Sequence, residues 1–302
     1  MQKLVNSKCW ICNSNMQVVD EMYFRCTSCH HEITSMIEKS VEIINEDLSD
    51  ETSKKLNLLD KFKNSLTLKY KNNSEVLIDV GSSTGRFLNL NKQKFPKIYG
   101  VELSKPSIDF CEKNYSIQVF DDLRKVPIEG STLVTFWHSL EHIPVEAIEE
   151  YFKFLSNLNK EITIIISVPN SSSLQVNLFK EKWPYRDEIS HIHQFSFDSL
   201  EKLMKKYNFC RIDLKTSLAY SSFGYLQGFL NKYFNIFNYY YYRKKRGWDF
   251  KLNKKTLKKY DFINVLLLIT FSPFSLFLTL YDLAFPKRAG VINVVYYIGT
   301  KG

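Results

Sequence analysis

The glycine signatures common in nucleotide-binding folds are missing from this 302-residue chain. No Gly-x-Gly-x-x-Gly run occurs, which excludes the dinucleotide fingerprint, and no Gly-x-x-x-x-Gly-Lys-Ser/Thr loop, which excludes the P-loop. Residues 1–8 are polar and lack the apolar core of a secretory signal, so a cytoplasmic location is expected. Cysteine is sparse. Four of the six cysteines stand as two Cys-x-x-Cys pairs, which suits a reducing compartment with a metal site. Internal repeats and low-complexity tracts are absent apart from four successive tyrosines, 239–242. With 44% hydrophobic residues, the chain can bury one large domain and carry small appendages.

What is present is a strand, a tight turn and a helix start over residues 76–88. Val76, Leu77 and Ile78 run continuously, as in a parallel strand covered on both faces. Asp79, Gly81 and Gly85 follow in the spacing Asp-x-Gly-x-x-x-Gly. The glycines let the backbone turn and approach a ligand closely. Further strands are predicted at 97–101, ending in the acid Glu102, at 116–120, followed by Asp121 and Asp122, at 132–137 and at 162–167. Glu102 falls one helix and one turn past Gly85, where a carboxylate can grip both ribose hydroxyls of a nucleoside. Strand 132–137 leads into His138-Ser139-Leu140-Glu141-His142-Ile143-Pro144. Pro144 suits the first turn of a helix over 145–158. A capping box from Asp198 to Glu201 is expected to open a helix ending at Tyr207. Residues 209–214 read as a sixth strand and 291–298 as the last, while Cys111 and Cys210 read as core residues.

These motifs, in this order, resemble the class I S-adenosylmethionine (SAM) dependent methyltransferases. The resemblance implies an α/β fold: a seven-stranded Rossmann-like sheet with an antiparallel last strand. It implies SAM as cofactor, held by Asp79, Gly81, Ser83, Gly85 and Glu102, by Asp121 and Asp122 near adenine, and by Trp137 and His138. Trp183 and the run His191-x-His193-x-Phe195 are similar to zinc-ribbon methyltransferases of bacterial surface-polysaccharide and lipid-linked pathways. That branch implies O-methylation of a saccharide or lipid-linked acceptor. An alcohol acceptor needs a base, and the candidates are His142, His191 and His193. Tyr185 and Arg186 suit an anionic acceptor. The alternatives are an RNA methyltransferase and a non-catalytic scaffold. Enzymes that methylate nucleic-acid amino groups carry Asn/Asp-Pro-Pro-Tyr where this chain has Trp137-His138-Ser139-Leu140. The intact Asp79, Gly81, Gly85 and Glu102 argue against a scaffold.

Cys9, Cys12, Cys26 and Cys29 are expected to hold one structural Zn2+ in a ribbon over residues 1–34, because four thiolates make a closed tetrahedral site. Two disulfides are the alternative pairing, and His30 or His31 is an alternative ligand. Residues 35–74 read as a helical connector, 75–216 with 286–302 as the SAM-binding domain, and 217–285 as an insertion. Between Lys232 and Lys259 ten bases meet one acid, so the whole net charge of +9 belongs to that segment. Residues 262–285 then carry one charge, Asp282. Aromatics and bases beside an apolar run predict contact with an anionic membrane surface rather than with nucleic acid. The other reading is a helix pair buried against a partner subunit. Pro273 divides the run, so a bent helical pair lying in one leaflet is expected, on the cytoplasmic face.

Overall fold

The computed structural model describes residues 8–19, 23–34, 56–187, 190–234, 236–245, 247 and 250–300. Most of the predicted connector, 35–55, lies outside them, as do Arg246, Trp248 and Asp249 of the basic segment. The chain opens with β1 (Met16–Val18), β2 (Tyr23–Cys26) and β3 (Glu32–Thr34), paired antiparallel. Helix α1 (Leu58–Lys69) starts at Asn57, whose side chain forms a reciprocal capping box with Asp60. Then come β4 (Val76–Val80), α2 (Arg86–Asn91), β5 (Lys97–Val101), α3 (Lys105–Tyr115), β6 (Val119–Phe120), β7 (Thr132–Trp137), α4 (Val145–Asn157) and β8 (Ile162–Pro169). The remainder is α5 (Leu174–Phe179), β9 (His193–Gln194), α6 (Phe197–Lys206), β10 (Cys210–Lys215), α7 (Leu218–Tyr233), α8 (Lys254–Ala284) and β11 (Val291–Ile298).

Seven strands form one sheet in the order β10-β11-β8-β7-β4-β5-β6, with β11 antiparallel to both neighbours. This is the Rossmann-like methyltransferase sheet. Every residue of β4, β7 and β8 is buried, which is why their sequences run apolar without alternation. Ile78, Val134 and Ile164 face one core, and Leu77, Leu133 and Ile165 face the other. Helix α4 buries Ile148, Tyr151, Phe152 and Leu155, a single stripe at helical spacing.

Four expectations about local structure need correction. The third sheet strand is Val119–Phe120 only, because Ser116 takes a left-handed conformation (φ 52°) to end α3. The capping box before α6 pairs Ser196 with Ser199, two residues earlier than the Asp198–Glu201 pairing. Cys210 is exposed, because β10 is an edge strand, whereas Cys111 is buried. Helix α8 runs unbroken for 31 residues through Pro273. Proline there costs one helical hydrogen bond. The hydroxyls of Thr270 and Ser272 bond back to the carbonyls of Leu266 and Leu268 beside it. Packing holds the rest: Phe271 stacks on Phe229 at 4.5 Å, and Asp282 accepts from Ser221 Oγ (2.7 Å) and Tyr225 Oη (2.9 Å) on α7.

A second sheet, β1-β2-β3-β9, takes its last strand from the segment between α5 and α6. The N-terminal ribbon is thereby stitched to the large domain through Glu32↔Gln194 and Ile33↔His193.

Candidate active site

The chain runs β4, β5, β6 outward on one side, then crosses to β7 and β8 on the other. The crevice of such a sheet opens where that order reverses, beyond the C-terminal ends of β4 and β7. Asp79 lies there, fully buried, and accepts from Thr135 Oγ1 at 2.6 Å. Burial pushes its carboxyl up to about 7, against the pull of the Thr135 hydroxyl and Lys63. Gly81 and Gly85 both have positive φ, 75° and 78°. A Cβ would fall 2.4 Å from Ser139 Cβ at the first and 2.2 Å from Cys111 Sγ at the second, so only glycine fits. The Glu102 carboxylate accepts from the backbone N–H groups of Ser83 (2.9 Å), Leu103 (2.8 Å) and Ser104 (2.9 Å), which fix it against the glycine turn. The hydroxyls of Ser82 and Thr84 in this turn are buried without hydrogen-bond partners, so the turn retains groups for a polar ligand.

The other predicted cofactor residues border the same rim. Asp122 accepts from the Arg124 backbone N–H at 2.8 Å and from its guanidinium, while the exposed Asp121 pairs with Lys125. Trp137 is buried edge-on to Phe87, with Lys63 Nζ over its ring at 5.4 Å. His138 adopts φ 57° and sits 4.8 Å, ring to ring, from Tyr220 of α7.

The histidines divide into two groups. His142 and His191 face each other at 4.8 Å beside Glu141, which is 1% exposed. Burial opposes the charge on Glu141, but the imidazoles of His138, His142 and His191 outweigh it and hold the carboxyl at about 2. Burial pulls His191 down to about 4 despite Glu141. His193 points elsewhere. Its Nε2 donates to the Ile143 carbonyl (2.9 Å), its Nδ1 lies 3.2 Å from His31 Nε2, and its ring packs on Trp10 and Phe195. Both of its nitrogens are engaged and the ring is fully buried, so it braces the ribbon against the loop. Tyr185 and Arg186 are likewise engaged: the Tyr185 hydroxyl donates to the Tyr220 carbonyl at 2.6 Å, and Arg186 lies over the Tyr23 ring.

The four ribbon cysteines gather with their sulfurs all within 4.8 Å, and none is in a disulfide. Cys9 and Cys29 sulfurs are 3.7 Å apart, and those of Cys12 and Cys26 3.4 Å. Two thiolates on a tetrahedral ion with ~2.3 Å bonds stand about 3.8 Å apart, so the donor set fits zinc. His30 and His31 are outside this cluster.

Three residues at the rim escaped the sequence reading: Glu141, Lys63 and Tyr220. Glu141 carried a signal, an acid between two histidines directly after a buried strand. Lys63 and Tyr220 carried none, since α1 and α7 reach the rim only by folding over the sheet.

The family described as "Methyltransferase domain" matches residues 52–212. No curated protein matches the chain. Among solved structures, a SAM-dependent methyltransferase from Archaeoglobus fulgidus is similar at 17% identity and TM-score 0.46, over 80% of this chain and 93% of its own. A geranyl diphosphate C-methyltransferase from Streptomyces coelicolor A3(2) is similar at 10% identity and TM-score 0.45, over 80% of each chain. A third, an S-adenosylmethionine-dependent methyltransferase from Clostridium acetobutylicum, has 12% identity and TM-score 0.44 over 81% of this chain and 93% of its own. More than half of the present sequence lies within the methyltransferase domain match, and the protein belongs to that family.

Proposed function

We propose that the protein transfers the methyl of SAM to an oxygen of a saccharide or lipid-linked glycan intermediate at the cytoplasmic face of a membrane. SAM supplies an electrophilic methyl on a sulfonium. Asp79 takes its amine, Glu102 its ribose hydroxyls, and Asp121 or Asp122 its adenine. The Glu141–His142–His191 cluster acts on the acceptor's proton, and four cysteines hold a structural zinc.

One observation carries the reading of the acceptor. Lys215 at the end of β10 pairs with Asn293, which pairs with Ser167 near the end of β8. The insertion between β10 and β11 therefore leaves and rejoins the sheet on the rim that carries Asp79 and His138. From it α8 presents an apolar stripe to solvent, with Phe262, Ile269 and Phe277 between 66% and 70% exposed. Exposed Lys254, Lys255, Lys258 and Lys259 precede the stripe. An apolar face beside cations binds anionic lipid. By length and composition, α8 is the one described helix able to cross a membrane. A crossing is incompatible with β11 returning to the sheet, so the helix lies along the surface.

Three results are expected. With methyl-labelled SAM and a cell-envelope extract, label goes to the saccharide or lipid-linked fraction; label in RNA instead refutes the acceptor class. Changing Phe262, Ile269 and Phe277 together to Asp abolishes co-sedimentation with phosphatidylglycerol vesicles, and equal sedimentation of the variant refutes the membrane contact. Glu102→Ala removes two ribose hydrogen bonds, costing roughly 2–4 kcal/mol in SAM affinity by calorimetry; unchanged affinity refutes its role.

Asp79 gives a pH signature. Its folded carboxyl titrates near 7 instead of 3.8, so the ligand-free fold holds a proton that the unfolded chain has lost. The stability from this group is full below the unfolded value and is lost as pH rises through about 7. Asp79→Asn should therefore stabilise the free protein most above pH ~7, by roughly 2–4 kcal/mol, while weakening SAM binding. Melting curves between pH ~5 and ~8 check this. A gain that shrinks toward high pH contradicts it.

A further inference from the structure

Two loops, one following β7 and one preceding β9, bring Glu141, His142 and His191 together, with a donor atom of each within 4.8 Å of the others. Neither buried carboxylate oxygen of Glu141 accepts a hydrogen bond. The nearest partner is His138 Nδ1, 3.3 Å from Oε1. A buried carboxylate lacking donors is costly and is ordinarily relieved by a charge partner. His142 Nδ1 lies 2.9 Å from the Ser190 carbonyl. A carbonyl only accepts, so the proton is on Nδ1 and the Nε2 lone pair is free. The Gln194 amide stands 3.2 Å from His191 Nδ1, and its Oε1 is buried without a partner. Exchanging the two ends of that amide lets Oε1 accept from Nδ1–H, which frees His191 Nε2 in the same way. An imidazole that donates its far N–H to a carbonyl or amide oxygen is oriented as a metal ligand.

We propose that Glu141, His142 and His191 bind a divalent first-row transition ion that receives the acceptor hydroxyl. The inference rests on the reading of this cluster as the group that handles the acceptor's proton, and it says how. Two imidazoles and one carboxylate favour such an ion over Mg2+ or Ca2+. Three protein ligands leave coordination positions open, unlike the closed four-thiolate site. A hydroxyl bound there is acidified. Its proton goes to His138 Nε2, which is buried without a hydrogen-bond partner and whose Nδ1 side faces Glu141. The oxygen lone pair forms the new C–O bond as the methyl–sulfur bond breaks. That electron pair stays on sulfur, giving neutral S-adenosylhomocysteine. Nothing is oxidised or reduced.

The test uses the full zinc-loaded chain with S-adenosylhomocysteine and Mn2+ as probe, because Mn2+ is paramagnetic and prefers oxygen and nitrogen donors to thiolates. Free Mn2+ is counted by electron paramagnetic resonance. About one Mn2+ should bind per chain, and at least roughly tenfold more weakly in Glu141→Gln and in His142→Ala. Melting temperature and S-adenosylhomocysteine affinity should stay near wild type. A wild-type chain that binds S-adenosylhomocysteine but no Mn2+ overturns the inference. So does Mn2+ binding unchanged in both variants, which leaves Glu141 as a brace for His138. Failure of the underlying reading is a separate result: His142 and His191 variants that transfer methyl at the normal rate, whatever the metal content.

Discussion

Chelating zinc from the purified chain is expected to unfold the N-terminal sheet while SAM binding survives. The strands of that sheet are two to four residues long, too little to hold together by burial alone. Its centre is Cys9, Cys26 and Cys29 with Ile11, Met16 and Phe24. A structural zinc contributes about 10–16 kcal/mol of apparent binding energy in comparable small sites, far above any other single interaction here. Metal analysis should give close to one zinc per chain. On chelation, amide protection should vanish from β1, β2 and β3, and Trp10 emission should shift as its contacts with His31 and His193 are lost. Methyl transfer should fall as well, because the ribbon holds the loop that carries His191. The Tyr23 hydroxyl donates to the carbonyl of His191 at 3.3 Å, and Ser196 Oγ donates to that of Cys29 at 2.6 Å. SAM affinity should persist, since Asp79 and Glu102 depend on β4 and β5. Zinc-free protein with full protection in β1–β3 is the result that defeats this account.

Replacing His142 or His191 by Ala should lower turnover by roughly 10²–10⁴ with SAM affinity kept, the size expected on losing a proton-handling group or its metal ligand. Glu141→Gln should fall in the same range, as it keeps the shape and removes the charge that both imidazoles face. His193→Ala should behave differently. It leaves the His31 ring and the Ile143 carbonyl without their buried partner. Its principal effect should be on stability, about 1–3 kcal/mol, with a smaller loss of turnover through a looser His191. Single-turnover transfer of labelled methyl together with thermal melting separates the two behaviours. Normal turnover in all of these variants means that acceptor activation lies elsewhere.

The sheet was legible in the sequence, and the candidate cofactor residues could be named from it. Strands β4, β7 and β11 were legible nearly to the residue, because strands buried on both faces are mostly apolar without alternation, interrupted here only by Asp79, Thr132, Thr135 and Asn293. Asp79, Gly81, Gly85 and Glu102 were legible because they belong to one strand–turn–helix unit and the strand after it. Their geometry is set by residues close in the chain. The four cysteines were legible for the same reason.

The gathering of Glu141, His142 and His191 depends on the tertiary structure. The strand His193–Gln194 exists because it pairs with Glu32 and Ile33, far away in sequence, and no local pattern marks two residues. That pairing turns His193 into the ribbon and leaves His191 with Glu141 and His142, a division that two histidines at alternate positions do not disclose. Pro273 signals a break when read locally. The helix nonetheless runs through it, since the stacking of Phe229 on Phe271 and the bonds of Asp282 to α7 outweigh one lost backbone hydrogen bond. Cys210 is exposed because strand order puts β10 at the edge, and order across a sheet depends on pairings the local sequence does not carry.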